Sequence, residues 1–210
     1  MKGCLITFEG GEGCGKTTQA RRLAARLERE GLPFLLQREP GGTILGETLR
    51  EIVLRGDYPM APWAEALLMA AARAQMVEEV LRPALSRGVW VVSDRFADSS
   101  TAYQGGGLGL GEERIQELNL WVTGGLRPDL TFFLDLPPEE GRHGDGKERP
   151  LDRIERRPVD FHRRVYDSYV RLAQREPERV VRIDARKPAD VIEEEVWDVV
   201  KKLLPGGRRV

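Results

Sequence analysis

The sequence has few of the residues that build metal centres and disulfide frameworks, with only two cysteines and two histidines in 210 residues. Cys4 and Cys14 are too few for a disulfide framework, so a reducing compartment is the default. His143 and His162 lack the spacing of metal ligands, and no Cys/His cluster is present. These absences argue against a disulfide-rich secreted domain and against a structural zinc site.

An excess of one charge and a long hydrophobic run are also missing. The formal net charge is -1, which gives no general electrostatic reason to bind nucleic acid or a membrane surface. The first apolar run stops at Glu9, too short for the apolar region of a signal peptide, and no later run approaches the length of a bilayer span. We therefore expect a cytoplasmic protein without a nucleic-acid or membrane partner.

The residues that are present alternate between short apolar runs and longer helical patterns. Apolar runs occupy residues 4–9, 33–38, 89–94, 130–135 and 179–184. Helical spacing follows the first run and recurs before Gly124, around Phe161 and after Pro188. A longer helical stretch extends from about residue 63 to 86, and we expect Pro83 to bend or break its end. This pattern predicts an α/β fold, a five-stranded parallel sheet flanked by helices, in one domain over residues 1–210.

Two segments interrupt this alternation. Residues 96–111 are polar and then glycine-rich, and residues 137–158 are strongly charged with almost no apolar side chain. Since the alternation resumes after each, neither segment is a linker between domains. The charged insertion at about 137–158, rich in arginine, is a candidate lid over a ligand.

Residues 10–17, GGEGCGKT, match the P-loop pattern of Gly, four residues and Gly-Lys-Thr, between an apolar strand and an amphipathic helix. Glycines let backbone N–H groups turn toward a triphosphate, and the helix N-terminus adds partial positive charge. Lys16 is expected to reach the β- and γ-phosphates, and the Thr17 hydroxyl to bind a magnesium ion. The expected ATP-binding residues of this loop are Gly10, Gly11, Glu12, Gly13, Cys14, Gly15, Lys16, Thr17 and Thr18. The alternative is a glycine-rich turn that binds nothing.

A P-loop alone indicates only nucleotide binding. Guanine-specific GTPases use an Asn-Lys-x-Asp motif, whereas the single asparagine, Asn119, is followed by Leu120. AAA-type and helicase ATPases generally need a longer chain. The small kinases that close an arginine-bearing lid over the donor nucleotide remain.

Asp94 and Arg95 end the third apolar run. A carboxylate at this place is typical of a Walker-B-like residue, which holds the metal directly or through water. The adjacent guanidinium can fork onto phosphate oxygens. A structural ion pair at the end of a strand is the alternative.

Three motifs together resemble the thymidylate kinase family: FEGGEGCGKTTQ at the first strand, REPGGT at 38–43, and DRFADSSTAYQG at 94–105. LDRIE and FHRRV further along also look like the lid and following helix of that family. The resemblance implies a P-loop fold and transfer of a phosphoryl group from ATP, with Mg²⁺, to dTMP. Beyond that magnesium ion we expect no cofactor.

The resemblance also implies residues for the acceptor's phosphate and sugar. Arg95 would grip the acceptor phosphate, Arg38 would help to position it, and Pro40 would shape the pocket. Glu12 would reach the deoxyribose 3′-hydroxyl, and Tyr103 would lie where a 2′-hydroxyl would need room. For Arg38 an ordinary Pro-Gly-Gly turn is an equal alternative.

For the base, the resemblance implies that Arg73 donates to the O4 edge of thymine, where cytosine would present an amino donor instead. Met69 stands where the family frequently has a phenylalanine that stacks on the base, so this is a departure, and a core role is the alternative. Ser99, Ser100 and Gln104 would complete the acceptor side, or serve as helix caps or loop polar groups.

Lid arginines would stabilise the charge of the transition state. The P-loop carries no arginine of its own, and in such family members the catalytic arginine tends to come from the lid, so we expect Arg149 and Arg153 to act with Lys16 and Arg95. For Arg142, Arg156 and Arg157 we prefer a solvated surface. Asp152 and Glu155 would order the lid arginines or approach a metal-bound water, and Arg186 and Lys187 would flank adenine.

Family members are homodimers, so the resemblance also implies a homodimer. Two alternatives stay open for the activity: a kinase of another nucleoside monophosphate or small metabolite, and a non-kinase P-loop ATPase.

Overall fold

A computed structural model describes residues 3–56, 58–141 and 151–204, and its centre is a five-stranded parallel sheet. The strands are β1 (Leu5–Glu9), β2 (Phe34–Arg38), β3 (Trp90–Asp94), β4 (Leu130–Asp135) and β5 (Val180–Asp184), in the order β2-β3-β1-β4-β5. All five predicted strands are present, so the predicted α/β fold class is confirmed.

Helices cover both faces of the sheet. They are α1 (Lys16–Arg29), α2 (Ile44–Arg55), α3 (Pro62–Met76), α4 (Arg82–Ser86), α5 (Ala97–Ser100), α6 (Glu112–Val122), α7 (Val159–Arg175) and α8 (Ala189–Val200). Leu23 of α1 and Val196 of α8 join Ile6 in one core cluster. On the other face the ring of Tyr169 from α7 stacks on Phe133 at 5.3 Å between centroids. Covering both faces explains why every residue of β1 is buried.

Pro83 does not end the long helical stretch, which continues from α3 into α4. Between these helices, Val77–Leu81 form a π-helical turn in which the Arg82 N–H donates to the carbonyl of Val77. A proline in a regular α-helix removes one hydrogen bond and crowds the carbonyl four residues earlier. The wider turn accommodates Pro83 near the start of α4.

Residues 96–111 are largely helical, which corrects the expectation that this segment interrupts the pattern of regular elements. After α5 the chain forms a π-helical segment, Thr101–Gly107. A Cβ on Gly107 would lie 2.6 Å from Phe161 Cε2 and 2.7 Å from Val165 Cγ2. The glycines therefore serve close packing of this segment against α7, a role that composition alone does not separate from that of a loop.

Helix α2 was not predicted, although the sequence carries a signal for it. The Thr43 hydroxyl accepts a hydrogen bond from the Gly46 N–H at 2.9 Å, which caps the helix. Leu45, Leu49, Ile52 and Val53 follow at helical spacing. This helix runs directly from the REPGGT segment, so it brings further side chains to the same edge of the sheet.

Among the helices in the described ranges, none has both the length and the apolar character that crossing a membrane requires.

Replacing Gly107 with alanine should lower the free energy of unfolding by about 1–3 kcal/mol, because the new methyl group would overlap buried Phe161 and Val165. At an open helical position the same change stabilises a protein by about 0.4–1 kcal/mol. Urea denaturation of both proteins gives the sign, and a more stable variant would contradict the packing described here.

Candidate functional site

A cavity of about 700 Å³ opens at the carboxyl edge of the sheet. Its walls come from the P-loop, strand β2 and the segment after it, helices α2 and α3, the segment after β3, and Leu151, Asp152, Ile154 and Glu155. The predicted site residues that line it are Glu12, Gly13, Gly15, Lys16, Thr17, Thr18, Arg38, Pro40, Met69, Arg73, Asp94, Arg95, Ser99, Ser100, Tyr103 and Gln104. Ligands of open α/β sheets bind at this edge.

The P-loop begins where β1 ends and leads into α1. Gly15, with a φ of 93°, precedes the first turn of the helix, and the Lys16 ammonium donates to the carbonyl of Gly11 at 2.5 Å. Gly10, Gly11 and Cys14, which were also predicted to bind ATP, are not among the residues that line the cavity. The Cys14 thiol is buried, 3.6 Å from Lys16 Nζ.

The Thr17 hydroxyl donates a hydrogen bond to the carboxylate of Asp94, so the two predicted metal ligands meet at the cavity. Both present hard oxygen atoms, which is the chemistry that Mg²⁺ prefers when phosphates and waters supply its remaining ligands. The part of the chain that the structure describes contains no group of three or more His, Cys, Asp or Glu side chains able to hold a metal ion. By their chemistry the oxygens of Thr17 and Asp94 fit a magnesium ion whose other ligands come from a nucleotide and water.

Arg95 lies directly after β3 with a φ of 73°, a left-handed conformation that is unusual for a residue with a side chain. Its Nη2 donates to Glu12 at 2.6 Å and to the Tyr103 hydroxyl at 3.1 Å. The hydroxyl of Tyr103 donates in turn to Glu12 at 2.7 Å. The P-loop carboxylate thus pairs with Arg95 and Tyr103.

Glu12 is held in its ionised form. Burial would raise the pKa of this carboxyl, but the charges of Arg95 and Lys16 outweigh burial and, with the Tyr103 hydrogen bond, lower the pKa to about 2. An ionised carboxylate is a strong acceptor for a hydroxyl group.

Arg73 is almost fully buried in the wall opposite the P-loop. Its Nε donates to Glu39 at 2.8 Å, its Nη1 to Asn119 at 2.7 Å, and its Nη2 to Ser100 at 3.0 Å and to the carbonyl of Phe96 at 3.2 Å. Several elements therefore fix this guanidinium.

The structure places Arg153 outside the cavity. Its Nη2 pairs with the buried carboxylate of Glu65 at 2.7 Å, and its Nε donates to the carbonyl of Val53 at 2.8 Å. Arg157 reaches the same carboxylate at 2.5 Å, and Gln104 donates to its other oxygen at 3.0 Å. The prediction that Arg157 is a solvated surface residue is therefore wrong, because its guanidinium pairs with Glu65.

Two other predicted residues, Arg38 and Arg186, lie at or beyond the edge of this arrangement. Arg38 is at the cavity rim, where it pairs with Glu47 of α2 at 2.9 Å. Arg186 is away from the cavity and pairs with Asp184 at 2.8 Å. Arg149 lies outside the described residues, as do Arg142 and His143.

Sequence reasoning missed several residues of the site. Arg50 lines the cavity and donates to the carbonyl of Pro40 at 2.8 Å. The helical spacing of apolar residues after Thr43 could have predicted α2 and with it the position of Arg50. Glu39 lies within the REPGGT motif, but only its pairing with Arg73 reveals its place. Asn119 is a buried partner of Arg73 that carries no local signal.

Glu9, at the end of β1, lies fully buried beneath the cavity. Its carboxylate accepts hydrogen bonds from the Phe96 N–H at 2.7 Å, the Ser99 hydroxyl at 2.5 Å and the Tyr169 hydroxyl at 2.9 Å. Burial and the nearby charge of Asp98 raise the pKa of Glu9 to about 7. Because Ser99 also accepts from Arg95, this buried acid supports the segment that carries Arg95.

Comparisons with known proteins give matches over nearly the whole chain. The family model described as thymidylate kinase matches residues 8–196. A thymidylate kinase of Synechococcus sp. strain JA-2-3B'a(2-13) is 52% identical over 96% of this chain and 96% of its own length. A thymidylate kinase of Deinococcus radiodurans is 48% identical over 96% of this chain and 98% of its own. The crystal structure of thymidylate kinase from Ehrlichia chaffeensis superposes with a TM-score of 0.78 at 30% identity, covering 95% of this chain and 99% of that one.

The raised pKa of Glu9 makes a prediction for stability. The folded protein keeps a proton up to a pKa of about 7, whereas the unfolded carboxyl releases it near 4.5. The contribution of Glu9 is therefore complete below about pH 4.5 and is lost as the pH rises through about 7. Relative to Glu9→Gln, the wild type should lose about 3 kcal/mol of unfolding free energy between about pH 5 and pH 8.

Urea denaturation of both proteins across this range measures the difference. Glu117→Gln, at an exposed position of α6, is the matched control and should follow the wild type. Parallel curves for wild type and Glu9→Gln would show that Glu9 does not titrate in this range.

Proposed function

The chain belongs to the thymidylate kinase family, and we propose that it transfers the γ-phosphoryl group of ATP to the phosphate of dTMP, giving dTDP and ADP. One observation carries most of the proposal: Arg95, Glu12 and Lys16 line the same cavity as Arg73, with Arg95 paired to the P-loop carboxylate. A phosphate-binding loop and a candidate base-reading arginine thus face one space.

Lys16, Thr17 and Asp94 form the donor side. Backbone N–H groups of the P-loop and the Lys16 ammonium would hold the triphosphate, and Thr17 with Asp94 would hold magnesium. When bound, the metal ion would neutralise charge on the phosphates. Arg186, which pairs with Asp184 after β5, remains a candidate neighbour of adenine.

Arg95, Glu12 and Tyr103 form the phosphate and sugar side of the acceptor. Arg95 would align the acceptor phosphate for in-line attack, and no general base is needed because that phosphate already carries nucleophilic oxygens. The low pKa of Glu12 suits it to accept a hydrogen bond from the 3′-hydroxyl. Arg38 and Pro40 would complete the wall next to the phosphate.

Arg73 and Ser100 would meet the base, with Met69, half-buried on α3, packed against its ring. Ser99 and Gln104 support this wall through Glu9 and Glu65.

Arg149 and Arg153 remain the proposed lid arginines, within a lid insertion at about 137–158 of a single kinase domain over 1–210. Arg153 would have to leave Glu65 before it could contact a phosphate. Arg149, which lies outside the described residues, is the other proposed transition-state contact. The chain would work in the cytoplasm.

We further propose a homodimer that uses α3 and α6. Trp63 and Leu67 lie one helical turn apart on α3 and are 43% and 54% exposed, and Leu120 and Trp121 on α6 are 47% and 86% exposed. Large apolar side chains at an exposed helix face are typical of an interaction surface. Because α3 contacts α6, these residues belong to neighbouring helices.

The activity is tested by supplying ATP, magnesium and a panel of nucleoside monophosphates and measuring ADP. We expect turnover with dTMP to exceed that with dCMP by at least about tenfold. Faster turnover with dCMP or UMP would contradict the base assignment, and ATP hydrolysis indifferent to every acceptor would favour the ATPase alternative. Lys16→Ala controls for contaminating kinases and should lose activity with every acceptor.

The dimer is tested by light scattering after size-exclusion chromatography. Leu67→Glu should convert the dimer to a monomer, since an ionised carboxylate would be buried without a partner. Val191→Glu is the matched control, because Val191 is similarly exposed, at 45%, but lies on α8 across the sheet. A wild-type monomer, or a dimer that survives Leu67→Glu, would contradict the proposed surface.

A further inference from the structure

We propose that Asn119 is a positioning residue for base recognition: it orients the guanidinium of Arg73 so that one defined N–H group faces the acceptor base. The proposal rests on the proposed function of Arg73. Asn119 belongs to α6 and does not line the cavity, so it would act on the acceptor only through Arg73.

The side-chain amide of Asn119 has a fixed orientation. Its Oδ1 accepts from Arg73 Nη1 at 2.7 Å, and its Nδ2 donates to the carbonyl of Ala97 at 2.9 Å and to Thr101 Oγ1 at 3.3 Å. A flipped amide would set its NH₂ group against the arginine N–H and its oxygen against the carbonyl of Ala97. The arginine and the carbonyl together therefore determine which end of the amide faces Arg73.

The hydrogen bonds of Arg73 leave little freedom for its guanidinium, which carries five N–H groups in a rigid plane. Glu39 pairs with both Nε and Nη2, and Ser100 and the carbonyl of Phe96 also accept from Nη2. Asn119 takes one of the two on Nη1. Within the described residues this leaves the second N–H of Nη1 for a ligand.

Asn119 sets the direction of that remaining donor. The two N–H groups on one nitrogen diverge by a fixed angle in the guanidinium plane, so a hydrogen bond to the first determines where the second points. A carbonyl oxygen on the base can accept from this N–H, whereas an amino group would bring donor against donor. Without Asn119 neither N–H group of Nη1 would have an acceptor among the described residues. The direction of the guanidinium would then be less fixed, and it would discriminate less between a carbonyl and an amino group on the base.

The test is the ratio of kcat/KM between the best and the worst pyrimidine deoxynucleoside monophosphate of the wild type, measured again in Asn119→Leu. Leucine has a similar size but cannot accept from Arg73. We expect the ratio to fall by about tenfold or more, mainly through the acceptor KM, with the KM for ATP unchanged. Asn119→Asp retains an oxygen toward Nη1 but sets its second oxygen against the carbonyl of Ala97, so it should restore only part of the ratio.

Thr101→Val is the matched control. It removes the more distant hydrogen-bond partner of the Asn119 amide. Thr101 is also buried and is not among the hydrogen-bond partners of Arg73, so the ratio in Thr101→Val should equal that of the wild type. If Asn119→Leu does not fold, Asn119→Ser takes its place, because the serine side chain is too short for its hydroxyl to reach Nη1. The ratio of kcat/KM should fall in this variant as it does in Asn119→Leu.

Two results would overturn the proposal: an unchanged ratio in a folded Asn119→Leu or Asn119→Ser protein, or an equal loss in Thr101→Val. Failure of the proposed function is a separate outcome, because it appears in the wild type as a preference for an acceptor other than dTMP. The Asn119 proposal would still be decided in that case, by whether the variant keeps the wild-type preference.

Discussion

Arginine–carboxylate pairs buried around the cavity are the constraint on which the site depends. Arg95 pairs with Glu12, Arg73 with Glu39, and Arg153 with Glu65, and these side chains are largely withdrawn from water. Removing one partner of a buried pair leaves an uncompensated charge, which costs about 3–5 kcal/mol. The first pair joins the P-loop to the segment after β3, and the other two join helix α3 to the segment after β2 and to the segment after residue 150. The hydrogen bond from Arg73 to Ser100 connects these two groups, so the parts of the cavity wall are not independent of one another.

The fold could be predicted from the sequence because its strands are short apolar runs between clear helical patterns. Where composition was ambiguous, the prediction failed: the glycines at 105–107 were interpreted as interrupting the regular elements, yet they belong to a π-helical segment packed on α7. Glycine serves both irregular turns and close approach between helices. Only the neighbouring helix, which contributes Phe161 and Val165 from more than fifty positions later, decides between the two.

The residues of the site likewise differ in whether the local sequence could identify them. A P-loop is a contiguous motif, so Lys16 and Thr17 follow from sequence spacing. The partner of an arginine is not contiguous: Asn119 lies 46 positions after Arg73, and Glu65 lies 88 positions before Arg153. The arginine-rich composition of the lid region therefore indicated abundant positive charge but did not reveal that Arg153 and Arg157 share one buried carboxylate.

The two sides of the proposed site differ in how firmly their side chains are held. On the proposed donor side Thr17 and Thr18 are exposed, and a P-loop binds phosphates that every nucleoside triphosphate carries. On the proposed acceptor side Arg73, Ser100 and Gln104 are buried and hydrogen-bonded to fixed partners. A wall whose donors are already oriented cannot rearrange at low cost to suit a different base, because each adjustment would break a buried hydrogen bond. In the proposed function, selectivity for the acceptor therefore depends on the hydrogen-bond network behind the wall as well as on the side chains that line it.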